Sequence, residues 1–308
     1  MNQPWPQPLQ PGDPVQLAAA SSALDPEALE RLQAGMAVLE SWGLQVDPHP
    51  EPLRRWGHLA GADAARRADL DTDPALLACI RGGWGSARLL EEAAASGTTA
   101  SPGDGATPGT GGRWLLGFSD VTSLLWARQA AGVAGGIHGP MLTGLAAEPD
   151  WSRERLRRLL FAGAAAELEP LTGLAWCGGV GEGPLLVGNL TVATHLLGTP
   201  HLPELRGAVL VLEDVGEAPY RIDRLLTHWR LSGALHQLAA IGFGRFSGCD
   251  DPDSPTTVEQ VLRERSGDLG IPVLAGLPVG HEPGNAALPL GVRARLDADA
   301  GQLTLLPE

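Results

Sequence analysis

The chain has 308 residues, of which 44% are hydrophobic and 19% are charged, and its formal net charge is −14. This length and apolar content are enough for a large buried core and allow two domains. Because a duplex-binding surface needs clustered positive charge, the acidic balance argues against a nucleic-acid partner.

The cysteines and the N-terminal residues indicate a reducing compartment. Cys79, Cys177 and Cys249 are widely spaced and odd in number, so they predict neither a disulfide framework nor a CxxC site. The N-terminus lacks a basic segment followed by an apolar one, as a signal peptide would have. No apolar run approaches the roughly 18 residues that a membrane crossing needs. We therefore expect a soluble, cytoplasmic protein that does not bind a membrane.

Strands alternate with helices through the first half of the chain. Apolar runs that predict strands lie at 15–20, 44–46, 76–80 and 115–118. Helices are predicted between Pro26 and Gly43, from about Ser86, and after Ser119. This alternation predicts a mostly parallel sheet covered on both faces, and ligands of such sheets bind at the carboxyl ends of the strands.

The second half of the chain begins a new sheet pattern. Residues 97–112 are rich in Gly, Ser, Thr and Pro and predict a surface loop, whereas the domain junction is expected between 145 and 180. Further strands are predicted at 185–187, 208–212 and 273–277, and a β-hairpin around 299–301. We predict an α/β fold with an N-terminal domain, 1–160, and a smaller C-terminal α/β domain, 161–308.

Ser119 lies where the apolar run Trp114-Leu115-Leu116 meets a helical pattern that begins near Val121. A hydroxyl at a strand-to-helix turn stands clear of the sheet, beside backbone N–H groups at a helix N-terminus. Such a serine can be a nucleophile with an oxyanion site. The alternative is a serine that caps the helix.

Two other strand ends carry candidate groups. Arg81-Gly82-Gly83 follows a strand, and one of its N–H groups could serve as an oxyanion donor, although two glycines also suit a tight turn. Glu213 follows the run that ends at Leu212. A carboxylate there can orient a histidine, whereas the alternative is a solvated cluster of acids.

The sequence contains eight histidines, and position narrows them to two candidate bases. His138 ends a short strand and His281 follows a strand into a Gly- and Pro-rich loop, and residue positions do not rank them. His195, His228 and His236 fall in helical patterns, and His49 and His58 fall in an early polar connection, whereas His201 has no such assignment. No metal-ligand spacing, dinucleotide fingerprint or P-loop is present, so no metal and no cofactor are predicted.

Six short motifs occur in order over nearly the whole chain, and together they resemble the LD-carboxypeptidase family, the serine peptidases of the S66 type. The motifs are Arg81-Gly82-Gly83-Trp84-Gly85, Gly117-Phe118-Ser119-Asp120, His138-Gly139-Pro140-Met141, Gly188-Asn189-Leu190, the acidic stretch from Leu212 to Arg224, and Gly276-Leu277-Pro278-Val279-Gly280-His281.

The resemblance implies a catalytic triad of Ser119 as nucleophile, Glu213 as orienting carboxylate and His281 as base. It implies oxyanion donors at the backbone N–H of Asp120 and of Gly83. It also implies a two-domain fold with the site at the domain interface, and a homodimer.

The implied reaction is hydrolysis of the amide that links an L-centre to a terminal D-amino acid, with release of D-Ala from peptidoglycan tetrapeptides during wall recycling. Arg81 is a candidate for binding the substrate carboxylate, and Trp84 stands where the family usually has Tyr, at the mouth of the site. One alternative is a microcin-immunity-like hydrolase of peptidyl- or aminoacyl-nucleotide conjugates, with Trp176 stacked on the base. A more remote alternative is a non-catalytic ligand-binding protein.

Overall fold

The computed structural model describes residues 5–91, 112–163 and 166–306. The chain divides into two compact units. Unit 1 comprises Met1–Ala166, Pro200–Pro203 and Ala286–Leu290, and unit 2 comprises Glu167–Thr199, Glu204–Asn285 and Gly291–Glu308. Apart from Gly112, the loop predicted at 97–112 lies outside the described residues.

Unit 1 is built on a six-stranded sheet that is parallel except at one edge. Its strands are β1 Pro14–Ala18, β2 Gln45–Asp47, β3 Leu76–Cys79, β4 Trp114–Gly117, β5 Gly136–His138 and, far along the chain, β12 Leu288–Pro289. The order across the sheet is β12-β5-β4-β3-β1-β2, and only β12 runs antiparallel to its neighbour. Strands β3, β4 and β5 are buried throughout, and β1 is buried at Val15, Leu17 and Ala18, which suits a parallel sheet covered on both faces.

The α-helices of unit 1 connect or flank these strands. They are α1 Leu29–Ser41, α2 Asp63–Leu70, α3 Thr122–Ala130, α4 Leu142–Leu145 and α5 Asp150–Ala162. One-turn 3₁₀ helices precede α1 and α3, and another, Ser86–Leu90, follows the loop after β3. Gly43 ends the α1 turn with a φ of +89°, as its position in the sequence predicts.

The carboxyl ends of the parallel strands bring distant residues to one edge of the unit 1 sheet. Ser22 follows β1, Gly82 and Gly83 follow β3, and Ser119 follows β4. The chain reverses its direction of winding between β1 and β3, since the order of the first five strands is 2-1-3-4-5. A crevice forms at such a switch point and is where ligands of open α/β sheets bind.

Unit 2 is built on an eight-stranded mixed sheet. Its strands are β6 Leu171–Thr172, β7 Leu174–Cys177, β8 Val180–Asn189, β9 Val209–Val215, β10 Ala240–Ser247, β11 Val273–Ala275, β13 Arg293–Asp297 and β14 Gln302–Leu305. The order is β6-β14-β13-β8-β9-β10-β11-β7, and the four strands from β8 to β11 are parallel. Strands β13 and β14 form the closing antiparallel hairpin that the sequence predicts.

The helices of unit 2 are α6 Leu190–His195, α7 Pro219–Leu231 and α8 Val258–Ser266. Asn189 caps α6 and Thr257 caps α8, each by accepting a backbone N–H at the helix start. The predicted fold class, an N-terminal mostly parallel α/β domain followed by an α/β domain with its own sheet, is confirmed. In the described part of the chain, no helix combines the length and apolar character of a membrane span.

Candidate active site

Ser119 occupies a strained turn directly after β4. Its φ is +59°, and it is the only non-glycine residue with a positive φ in the described ranges. A left-handed conformation costs a residue with a Cβ about 1–2 kcal/mol, and such strain is concentrated at functional sites. Gly117 makes the turn possible, because a Cβ there would lie 2.6 Å from Val121 Cγ1. The half-buried Ser119 is therefore held in a nucleophile-elbow geometry.

The alternative reading of Ser119 as a helix cap is wrong. Phe118 is the N-cap of the 3₁₀ turn Ser119–Val121, and Val121 is the N-cap of α3. Neither helix start receives a side-chain capping hydrogen bond. Ser119 is therefore not the capping residue of either helix start.

The loop after β3 passes directly beside the Ser119 side chain. A Cβ added to Gly82 would lie 3.0 Å from Ser119 Cβ and 3.1 Å from Ser119 Oγ. Gly82 thus allows the backbone to approach the hydroxyl more closely than any other residue would. Gly83, with a φ of +112°, continues the loop and is exposed. The unit 1 structure therefore brings the sequence-predicted serine and glycine loop together.

The Asp120 carboxylate joins this loop to the serine turn, and sequence reasoning missed it. Asp120 is fully buried, and its Oδ2 accepts the Ser86 N–H at 2.8 Å. The Ser86 hydroxyl donates to the Asp120 carbonyl oxygen at 2.6 Å and lies 2.6 Å from Ser123 Oγ. The sequence predicted only a backbone role for Asp120; a buried carboxylate next to Ser119 also fixes the distance between the two loops.

Glu213 and His281 form a hydrogen-bonded pair in unit 2. The sequence places Glu213 after its strand, but β9 extends to Val215, so Glu213 lies within the strand and is fully buried. The alternative of a solvated acid cluster is therefore wrong for Glu213, and also for Asp214, which is 2% exposed. His281 Nδ1 lies 2.7 Å from Glu213 Oε2, and the imidazole is one-fifth exposed.

Gly244 on β10 and Gly280 in the loop after β11 allow this pair to form. A Cβ at Gly244 would lie 3.2 Å from Glu213 Cβ and would collide with the Val279 carbonyl oxygen. A Cβ at Gly280 would lie 3.2 Å from Glu213 Oε2. The Arg245 N–H donates to Val279 O at 2.8 Å, which seats the loop on β10. These close approaches carry the His281 ring to the carboxylate.

Asn189 orients the other oxygen of the Glu213 carboxylate. Its Nδ2 donates to Glu213 Oε1 at 3.3 Å and to Asp214 Oδ1 at 2.9 Å. Asp214 Oδ2 also accepts the N–H and hydroxyl of Thr191, at 2.9 and 2.8 Å. The Gly188-Asn189-Leu190 motif was the available signal for this network, but the sequence did not assign Asn189 a partner.

The Glu213–His281 hydrogen bond determines which imidazole nitrogen can act as a base. When Glu213 is ionised, its Oε2 accepts a hydrogen bond from the Nδ1–H of His281, so Nδ1 carries the hydrogen and Nε2 presents its lone pair. Burial raises the pKa of the Glu213 carboxyl above its ordinary value, and the hydrogen bonds from His281 and Asn189 oppose this rise. The carboxylate is thus costly to bury, as is common for groups that serve chemistry.

We expect this burial to make stability depend on pH. Above pH 4.5 the unfolded chain loses the Glu213 proton, whereas the folded chain retains it up to the raised pKa, so stability falls as pH rises through this window. Glu213→Gln stays neutral at every pH. Its melting temperature relative to wild type should therefore increase as pH rises from 4.5 to 8. The exposed Glu264→Gln is the matched control, and a pH-independent difference for Glu213→Gln would contradict the prediction.

The other histidines of the sequence have different surroundings. His138 is fully buried in β5 with its ring 5.6 Å from that of Phe118 in an edge-on contact. His49 lies 3.1 Å from Asp69 through Nε2 and accepts the Glu51 N–H through Nδ1. His58, His195, His228 and His236 are exposed, and His201 is buried. Of the two candidate bases, His281 is the one with a described hydrogen bond to Glu213.

The predicted substrate-binding residues occupy three different environments. Arg81 is half-buried and donates through Nη1 to Ala23 O at 3.0 Å. Trp84 is 40% exposed in the loop beside Gly83. The Trp176 ring in β7 has the Arg263 guanidinium 4.2 Å from its centroid and lies 5.8 Å from the Phe243 ring. Across the described ranges, no group of three or more His, Cys, Asp or Glu residues is arranged to hold a metal ion.

Comparison with known proteins identifies both halves of the chain. Residues 15–139 match the model of the LD-carboxypeptidase N-terminal domain, and residues 182–296 match that of the LD-carboxypeptidase C-terminal domain. A putative carboxypeptidase of Synechocystis sp. is 47% identical over 98% of this chain and 97% of its own length. The murein tetrapeptide carboxypeptidase of Pseudomonas aeruginosa is 34% identical over 92% of this chain and 93% of its own.

A solved structure extends the likeness to the fold. The microcin C7 self-immunity protein in complex with aspartyl sulfamoyl adenosine has a TM-score of 0.85 and 22% sequence identity, and 99% of each chain is covered. At this identity the similarity shows a shared fold. It agrees with the two α/β units described above.

Proposed function

The chain belongs to the LD-carboxypeptidase family and is a serine carboxypeptidase, and on that premise we propose that Ser119, Glu213 and His281 form its catalytic triad. The observation that supports this most directly is the 2.7 Å hydrogen bond between His281 Nδ1 and the buried Glu213 carboxylate. Because this bond engages Nδ1, Nε2 of His281 is the nitrogen that would act as the base. The strained turn at Ser119 presents the hydroxyl that such a base would activate.

In the proposed reaction His281 Nε2 takes the Ser119 hydroxyl proton as Oγ attacks the scissile carbonyl carbon. The tetrahedral intermediate then collapses, His281 protonates the leaving amine, and an acyl-enzyme remains on Ser119. Water, deprotonated by His281, attacks that ester and regenerates the serine. Ionised Glu213 keeps the Nδ1 proton in place and stabilises the imidazolium at each transfer.

We propose that the N–H groups of Asp120 and Gly83 hold the oxyanion. Within the described residues neither N–H donates a hydrogen bond. Asp120 follows Ser119 in the chain, and Gly83 follows Gly82, whose Cβ position lies 3.1 Å from Ser119 Oγ. An oxyanion donor typically contributes about 10²–10³-fold to the rate.

We propose peptidoglycan-derived tetrapeptides as substrates, with the terminal D-Ala as the released product and wall recycling as the role. The 34% identity to a murein tetrapeptide carboxypeptidase over nearly the whole chain supports this choice. An exopeptidase must also bind a terminal carboxylate, and Arg81 stays a candidate, although one of its nitrogens already serves Ala23 O. A cytoplasmic homodimer is part of the same proposal.

A second candidate substrate is an aminoacyl- or peptidyl-nucleotide conjugate. The observation that favours it is the TM-score of 0.85 to a protein that binds aspartyl sulfamoyl adenosine. In that case an aromatic ring would stack on the base. The sequence predicts Trp176 for this stacking, but the Arg263 guanidinium lies over its ring, which favours a packing role for this side chain.

A substrate panel distinguishes the two proposals. We expect the purified protein to release D-Ala from L-Ala-D-Glu-meso-diaminopimelate-D-Ala and to leave aspartyl sulfamoyl adenosine intact, with free D-Ala and free aspartate as readouts. The matched control is the same tetrapeptide ending in L-Ala, which should react much more slowly. Preferential cleavage of the sulfamoyl adenosine would instead support the second candidate.

A further inference from the structure

Ser22 fastens the loop after β3 to the segment that follows β1. The Ser22 N–H donates to Gly82 O at 3.4 Å, and the Trp84 N–H donates to Ser22 Oγ at 3.0 Å. The Ser22 hydroxyl in turn lies 3.4 Å from Trp84 O, to which it donates. One serine therefore binds the backbone on both sides of Gly83.

The segment that contains Ser22 is itself fixed. The Ala23 N–H donates to His58 O at 2.9 Å, and the Ala60 N–H donates to Ser21 O at 3.0 Å. Because these bonds flank Ser22, its side chain and its N–H have a defined position. Ser22 thus acts as a rigid support for the loop rather than as a side chain that follows it.

The Ser22 contacts determine the direction of the peptide group between Gly82 and Gly83. In a trans peptide the C=O and the N–H point in opposite directions. Since Gly82 O points to Ser22, the Gly83 N–H points away from Ser22. In the described part of the chain this N–H donates no hydrogen bond, so it is available to a ligand.

Ser119 lies on the side of the loop opposite to Ser22. The Cβ position of Gly82 faces Ser119 Oγ, 3.1 Å away, whereas the Cβ position of Gly83 collides with the Ser22 hydroxyl. The loop is therefore sandwiched between the two serines.

We propose that Ser22 is a positioning residue that aims the Gly83 N–H at the oxyanion formed on Ser119. The inference rests on the proposed function, because it needs Ser119 to be the nucleophile. Ser22 does not touch the reacting atoms. Its effect is to hold the donor where negative charge develops in the transition state, which is where a preorganised hydrogen bond accelerates a reaction.

The test compares wild type with Ser22→Ala and Ser22→Thr in D-Ala release from the tetrapeptide. Removal of an oxyanion donor costs about 10²–10³-fold, and displacing one should cost less, so kcat of Ser22→Ala should fall about 10- to 100-fold. KM should stay within about threefold, since the donor acts in the transition state. Ser22→Thr keeps the hydroxyl and should restore kcat. The exposed Ser41→Ala in the same unit is the matched control.

A second readout separates positioning from general structural damage. A peptide aldehyde that ends at the residue before the scissile bond would form a hemiacetal with Ser119 Oγ, with its former carbonyl oxygen in the oxyanion site. Its affinity should fall in Ser22→Ala by the same factor as kcat/KM, while that of the tripeptide product stays constant. If the alanine variant does not fold, Ser22→Cys, a weak hydrogen-bonding partner of similar volume, takes its place.

Two outcomes would overturn the inference. One is an unchanged kcat in folded Ser22→Ala, and the other is an equal loss of affinity for aldehyde and product. Fluorophosphonate labelling of Ser119 distinguishes a failure of this inference from a failure of the proposed catalytic triad. A Ser119 that is labelled in wild type, together with an unaltered Ser22→Ala, refutes only the role of Ser22, whereas an unlabelled Ser119 refutes the triad.

Discussion

Ser119→Ala is expected to lower kcat for D-Ala release by about 10⁶-fold, the size of loss found when a serine-hydrolase triad loses its nucleophile. The methyl group leaves no atom to attack the carbonyl, so only substrate binding and the oxyanion donors remain. KM should change little. The measurement is a coupled assay for free D-amino acid under single-turnover and steady-state conditions, and the variant must be expressed without contaminating host peptidase.

The control for Ser119→Ala is Ser41→Ala, the same chemical change at an exposed serine of unit 1 whose hydroxyl donates to Val38 O. It should retain wild-type kcat. Fluorophosphonate labelling adds a test that does not depend on the substrate, since wild type and Ser41→Ala should be labelled and Ser119→Ala should not. A Ser119→Ala variant that keeps a tenth or more of the rate would rule out Ser119 as the nucleophile.

The sequence predicted the sheet of unit 1 and the position of Ser119 well, because both depend on local patterns. Buried parallel strands appear as continuous apolar runs, and β1, β3 and β4 lie where those runs are. The strand-to-helix turn at Ser119 follows from the same pattern. The strain at that turn was not visible, since the φ of +59° at Ser119 is a property of the folded backbone that the residue types around it do not reveal.

The orienting contacts of the site could not be predicted, because they join residues that are distant in the sequence. Asn189 and Glu213 are neighbours only because β8 pairs with β9. The strand β10 and its Gly244, which lets Glu213 lie beside the His281 loop, fell outside the predicted strands. Position alone therefore left His138 and His281 unranked as bases. The strand-pairing register and the glycine contacts identify the partners of Glu213, which residue types and spacings alone do not reveal.

Ser22 is another residue whose role could not be predicted from the sequence. Serine after a strand is a common residue in a loop, and its importance appears only when Gly82 O, the Trp84 N–H and the missing Gly83 side chain are seen to converge on it. The Asp120 carboxylate likewise has its partner, Ser86, 34 residues earlier in the chain. Groups that position catalytic residues carry weak sequence signals, since many side chains suit the same local backbone.

Glu213→Gln is expected to lower kcat by about 10⁴-fold, as loss of the orienting carboxylate does in a triad that depends on the correct imidazole tautomer. Asn189 supplies the reason here. Its Nδ2 donates to Oε1 of residue 213, so a glutamine would place its carbonyl oxygen there and its NH₂ toward His281. His281 Nδ1 would then have to accept, the proton would move to Nε2, and the base would be lost.

The double variant Ser119→Ala with Glu213→Gln tests whether these residues act as one catalytic unit. Members of a triad are strongly non-additive, so the double variant should be no slower than Ser119→Ala alone. Because Ser119 belongs to unit 1 and Glu213 to unit 2, this non-additivity would link the two units in one reaction. The exposed Glu264→Gln serves as control and should combine with Ser119→Ala without effect.

Additive losses would have a different meaning. If Glu213→Gln lowered the residual rate of Ser119→Ala by a further 10⁴-fold, the carboxylate would be acting in a step that does not require the serine. Glu213 would then be placed in a second mechanism, such as direct activation of water through His281. The triad predicts the opposite, since without the Ser119 hydroxyl no acyl-enzyme forms and the oriented base has no catalytic step to assist.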